Sequence, residues 1–266
     1  MTRRFIIAAA VALAGTAVSA AAQETAHAST TSDATQDAAS ARGAGLRLDV
    51  GLGVGTHAAT VPTAQGVQRM GDSPFAAAEA SLTLRGWPEA RVGLCFVASY
   101  RTSIAWQIEQ QAQFALPERL DARAEQIELG AGPVLRLSRV RTAASLALTI
   151  GLGLRAFWPR PREFPVQGYL LGGPALRAEF VWPVLASLEL RLVPELQWLA
   201  LPFEGPRDLN RSTGLAFGAG LQLGVHVSAA MRVGLAYRES FARVPGASSA
   251  LEDHTRHVTV RITGEL

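Results

Sequence analysis

The sequence predicts an all-β chain, an antiparallel up-and-down transmembrane β-barrel of about ten strands. Three observations carry this. Long segments alternate apolar and polar residues with a period of two, which sends successive side chains to opposite faces of a strand. The connections between these segments alternate short and long. One strand face holds nearly all the charge and the other almost none.

The chain begins with a cationic head, Met1-Thr2-Arg3-Arg4, then an Ala-rich apolar run from Phe5 to Val18, then small residues at Ser19, Ala20, Ala21 and Ala22. This is the pattern of a cleaved secretory signal peptide over residues 1–22, and the run is too short for a spanning helix. Residues 23–43 are rich in Ala, Thr and Ser and poor in large apolar side chains. Burial there cannot offset the cost of ordering the chain, which predicts a disordered periplasmic tail. The barrel is expected over residues 44–266.

Leu46, Leu48, Val50, Leu52 and Val54 alternate with Arg47, Asp49, Gly51, Gly53 and Gly55. The even positions from Thr142 to Trp158 and the odd positions from Leu215 to Val227 form equally long apolar faces. A helix would repeat at three and four residues instead. The pattern places strands near 44–56, 75–86, 90–102, 123–137, 140–157, 167–182, 185–200, 213–227, 230–242 and 255–265. Most exceed the 5–6 residues usual in soluble sheets and suit the roughly 9–11 that a tilted strand needs to cross a bilayer. Counts of eight or twelve are the neighbouring alternatives. Pro133, Pro174 and Pro194 fall inside predicted strands, where each removes a ladder donor and leaves the local register open.

Trp87-Pro88-Glu89, Ser138-Arg139, Trp182-Pro183-Val184 and Ser228-Ala229 read as tight turns. Between them lie longer connections at 57–74, 103–122, 158–166, 201–212 and 243–254. Tight turns on one rim and loops on the other, with both termini on the turn side, are what a spanning barrel requires.

The face assigned to the lumen carries Arg47, Asp49, Glu79, Arg85, Arg91, Arg101, Glu128, Arg136, Arg155, Arg177, Glu179, Glu189, Arg191, Glu195, Arg232, Arg238 and Arg261. Their mixed signs predict an internal ion-pair network, with a basic substrate channel as the sharper alternative. Trp87, Tyr100, Trp158, Trp182, Trp198 and Tyr237 lie near strand ends, where an aromatic girdle meets the membrane interfaces. Inward glycines such as Gly51, Gly53, Gly130, Gly132, Gly218 and Gly220 relieve crowding in a narrow barrel and leave interior volume to account for.

Charge and cysteine content exclude other classes. The formal charge of +3 falls to about +1 once Arg3 and Arg4 leave with the leader, so the basic pI does not point to nucleic acid. Cys95 is the single cysteine, which rules out an internal disulfide and reads as a small apolar filler. No P-loop, zinc ribbon or Gly-x-Ser-x-Gly elbow is present, and the G-x-G runs open no helix after a strand, so no cofactor is expected.

With these features the chain resembles small bacterial outer-membrane β-barrel proteins, the porin-like and OmpA-like superfamily of Gram-negative bacteria. The resemblance extends over nearly everything after the tail. It includes a last strand, His257 to Leu266, in which Val258, Val260 and Ile262 alternate. In the family this strand usually ends in an aromatic residue; here it ends in Leu266. The resemblance implies export to the outer membrane, contact with its lipid and lipopolysaccharide, and recognition of the last strand by the barrel-assembly machinery.

Candidate chemistry is sparse. His27 lies in the tail, His57 in a predicted loop and His226 in a strand. Asp253, His254 and His257 make a metal group only if their stretch is a loop, because i and i+3 on a strand face opposite ways. His226-x-Ser228 resembles the His-x-Ser of lipid A deacylases, but it falls beside a predicted periplasmic turn with no acid to orient the imidazole. The strand count is also similar to that of omptin proteases, whose Asp-x-Asp and Asp-x-His pairs are absent as sequence motifs. The expectation is therefore a non-enzymatic structural or surface-interaction barrel. A narrow pore for small solutes is the alternative, and an omptin-like or deacylase-like hydrolase comes behind it.

Overall fold

The computed structural model describes residues 43–63, 66–87, 91–110, 118–138, 143–160, 168–204, 212–228, 230–246 and 250–266. The leader, nearly all of the tail and His27 lie outside the described residues, as do Pro88, Glu89, Arg139 and Ala229 of the expected turns.

Among the described residues, eleven strand segments form one sheet. They are β1 (Gly43–Thr63), β2 (Gly66–Trp87), β3 (Val92–Gln110), β4 (Glu118–Arg136), β5 (Ser145–Arg160), β6 (Tyr169–Leu185), β7 (Leu188–Leu199), β8 (Leu201–Glu204), β9 (Gly214–Ser228), β10 (Met231–Val244) and β11 (Leu251–Glu265). Each wall strand pairs antiparallel with its chain neighbours, and β1 pairs with β11, which closes the cylinder. At the seam Leu46 and Leu266 exchange backbone hydrogen bonds of 3.0 and 2.9 Å. β8 continues β7 beside β6 after a break at Ala200, so the barrel has ten strands.

The outward face explains why the strands are long. On β1, Leu46 to Val54 spans about 27 Å at ~3.4 Å per residue. That is roughly 21 Å along the barrel axis at a tilt near 40°, close to the ~25 Å apolar band of a bilayer-spanning barrel. Leu52 is 61 % exposed and Ile150 70 % exposed, and they belong to a continuous belt of exposed Leu, Ile, Val and Phe. Water would penalise such a surface and lipid does not.

The strands run further than expected at the end where the longer connections lie. β1 and β2 extend to Thr63 and Gly66, leaving two residues between them where the sequence predicted a loop over 57–74. His57 and His254 consequently sit in strands, not loops. At the other end the turn after β6 is Ala186-Ser187, so Trp182-Pro183-Val184 is strand, and β5 begins at Ser145 after a connection longer than the expected Ser138-Arg139.

The prolines resolve differently. All three rings face outward. At Pro133 the β4–β5 ladder lacks pairs, yet the register is the same on both sides, and Pro194 does the same between β6 and β7. Opposite Pro174 the register does shift by one residue, and there β7 breaks at Ala200. Close strand approach requires glycine at two inward positions. A Cβ on Gly53 would strike the carbonyl oxygen of Val258, and one on Gly151 that of Leu129.

Candidate functional site: the barrel interior

The inward positions continue through both rims, so among the described residues the interior is where distant strands bring chemistry together. It is filled in three tiers. At the turn end, Trp87, Cys95, Val97, Val134 and Ala147 form a small apolar cluster. The Arg136 guanidinium lies 3.6 Å above the Trp87 ring, a cation–π contact. Trp87, expected in the outer girdle, thus turns inward because it keeps the parity of Glu79 and Arg85 on β2. Tyr100, Trp158, Trp182, Trp198 and Tyr237 keep outward parity. Arg91, expected in the lumen, lies just before β3 and is exposed.

The middle tier is ionic. Nine inward arginines (Arg47, Arg85, Arg101, Arg155, Arg177, Arg191, Arg232, Arg238, Arg261) share it with eight carboxylates (Asp49, Glu79, Glu128, Glu179, Glu189, Glu195, Asp253, Glu265). Glu179 is the hub of the lower half. It meets Arg47 at 2.8 Å, Arg85 at 2.9 Å, and Arg177 and Arg191 at 3.6 Å. Asp49 joins Arg47 to Arg191 and accepts a 2.6 Å hydrogen bond from Thr263. Glu189 links Arg191 to Arg232, which reaches Glu265 at 2.7 Å. In the upper half Glu195 binds Arg238 at 2.8 Å, Arg101 at 3.0 Å and Arg177 at 3.5 Å, and Glu79 pairs with Arg261. Shared partners let most of these buried charges be compensated more than once, which is the condition for tolerating them in a low dielectric.

The inward glycines make room for these groups. A Cβ on Gly51 would meet Glu79 at 2.7 Å, and one on Gly153 would meet Gln197 at 2.7 Å. Beside Gly218 and Gly220 stand Glu195 and Arg238, each 3.3 Å from the added atom. The space beside these four glycines is therefore taken by inward side chains of nearby strands, three of them direct ladder partners.

The third tier departs from the charged lumen that the sequence predicts. At the loop end the inward side chains become apolar, and Phe75, Trp106, Phe157, Tyr169, Leu171, Leu199, Val244 and Leu251 pack into one buried cluster. Most keep the parity of the charges below them. Two are re-aimed by irregularities. An extra residue at Ile104 in the β2–β3 ladder turns Trp106 inward, and the shift between His57 and Ala59 in the β1–β2 ladder does the same for Met70. Such bulges redirect side chains without ending the sheet. The outward face there turns polar, with Arg123, Glu125, Glu239, Glu252 and Arg256 above the apolar belt.

Inside this cluster lies a His–Asp–Tyr group. His57 Nε2 stands 3.1 Å from Asp253, which also accepts hydrogen bonds from Tyr169 and Thr255. The three strands that supply His57, Tyr169 and Asp253 are far apart in sequence, so no spacing could reveal the group. The imidazole is 1 % exposed and edge-on to Trp106 at a centroid distance of 4.4 Å. His254 faces outward to Glu239 at 2.7 Å, while His257 faces inward, 3.8 Å from Glu79, so they cannot share an ion. At the turn end His226 accepts a 3.4 Å hydrogen bond from Arg232, and the Ser228 hydroxyl accepts one from the Ala230 amide.

No protein-family model matches the chain, and no curated protein matches it. Among solved structures, the outer-membrane protease OmpT from Escherichia coli superposes with a TM-score of 0.50 at 13 % identity, over 84 % of this chain and 97 % of that one. The translocator domain of the autotransporter NalP from Neisseria meningitidis gives a TM-score of 0.40 at 14 % identity, over 97 % and 96 %. OprG from Pseudomonas aeruginosa gives 0.37 at 11 % identity, over 85 % and 97 %. The likeness to OmpT establishes the fold, that of a closed antiparallel β-barrel of ten strands.

Proposed function

We propose that this protein resides in the outer membrane as a sealed, non-enzymatic barrel that presents its loop end to partners at the cell surface. The observation that carries this reading is the filled interior: an aromatic cluster, an ion-pair tier and a Trp87 cluster lie in series along the axis. A diffusion pore needs a continuous polar path, and the apolar tier interrupts it. The apolar belt is matched to lipid, and the polar band above it, with Arg123 and Arg256, suits the phosphates of lipopolysaccharide. The alternating Val258, Val260 and Ile262 of the last strand supply the face offered to the assembly machinery.

OmpT is a protease, and the His57–Asp253 pair invites the comparison. Here the pair is covered by Trp106 and Phe157 and the imidazole is 1 % exposed, which favours a structural role over contact with a peptide or lipid bond. Two measurements test the proposal. The protein should fractionate with outer membranes, and vesicles containing it should not swell in an isotonic small sugar faster than empty vesicles. Recovery as a soluble periplasmic protein, or sugar-dependent swelling, overturns it.

A further inference from the structure

Between the aromatic tier and the upper ion pairs lies a cavity of about 60 Å³, lined by Glu79, Arg101, Arg155, Arg238, Ser240 and Asp253 among others. Its charges do not cancel. Each of the other eight arginines of the ionic tier has a carboxylate within 4.0 Å. Arg155 is 7 % exposed and has none among the described residues; it donates instead to Gln197 at 3.2 Å and to Ser240 at 3.4 Å. Arg238 gives both oxygens of Glu195 its Nη1, while its buried Nε has no hydrogen-bond partner. Ser240 stands two residues from Arg238 on the same inward face of β10, and Arg155 and Arg238 both line the chamber. A buried guanidinium that no carboxylate meets in direct contact is costly, and a buried donor left unpaired adds to that cost.

We propose that this chamber is a binding site for one small inorganic anion of halide size, held by Arg155 and Arg238. The anion supplies the charge that the ionic tier lacks, since nine arginines face eight carboxylates there. The volume admits a halide with a few waters. The aromatic tier above makes the site a permanent structural one rather than a station on a path. It goes beyond the sealed-barrel reading and survives that reading's failure, because occupancy does not depend on conductance.

Bromide is the probe. Crystals of the folded protein grown in sodium bromide should show an anomalous peak beside Arg155. In detergent, chloride or bromide should raise the thermal unfolding midpoint saturably, by a few degrees, above sodium gluconate of equal ionic strength. In Arg155→Gln the halide and gluconate midpoints should coincide. A chamber without bromide, equal midpoints in the native protein, or an unchanged halide response in the variant each overturns the proposal. If Arg155→Gln does not fold, the bromide peak in the native protein still decides.

Discussion

Glu179→Gln removes the carboxylate that four arginines share while keeping its volume. At an effective dielectric of ~20, contacts of 2.8, 2.9, 3.6 and 3.6 Å amount to roughly 20 kcal/mol of gross attraction. Desolvation of the carboxylate and repulsion among the four guanidinium groups cancel most of that. Removing one partner from a buried ionic cluster leaves a net loss of about 3–5 kcal/mol. The assay is urea unfolding of the protein folded into phospholipid vesicles, followed by tryptophan fluorescence. Glu252→Gln is the control, since its pair with Arg243 lies exposed on the outer face and is worth no more than ~1 kcal/mol. A second variant joining Glu179→Gln to Arg85→Gln should recover part of the loss, because one uncompensated cation is gone. If Glu179→Gln unfolds at the native midpoint, the ionic tier does not hold the barrel in the way described.

Trp106→Ala should lower stability by about 3–5 kcal/mol, seen as a lower temperature for loss of the compact gel form, yet it should remain non-conducting because the ionic tier below is intact. Ile150→Arg, on the outward face, should cost roughly 2–4 kcal/mol in the same vesicle titration; a neutral result would place that face in water. Gly151→Val should prevent closure, because its Cβ would meet the Leu129 carbonyl oxygen, and the test is absence of a heat-modifiable band. Its native-like migration would show that the β4–β5 approach is looser than described.

Much of the wall is legible in the sequence because a lipid belt imposes one simple rule, apolar outward and polar inward, on every strand. Leu46 to Val54 and Leu215 to Val227 show it directly, and the ten strands follow. Above the belt the rule inverts. Val61, Phe157, Tyr169 and Leu251 are apolar yet inward, while Glu239 and Arg256 are polar yet outward. Read with the belt's rule, this stretch looks like loop, which is why His57 and His254 were expected there. The parity of Phe157 with Arg155 and of Tyr169 with Arg177 was available as a signal. Trp106 was not, since only the bulge at Ile104 turns it inward. The His57–Asp253–Tyr169 group and the Glu179 hub depend on which strands meet across the lumen, and no local spacing encodes that.

The central claim is that the cylinder is closed to solutes. Single-channel recording of the purified, folded protein in a planar bilayer tests it most directly. The filled interior predicts no steady current above the bare membrane at any moderate voltage; discrete steps of reproducible conductance, scaling with salt, would contradict it.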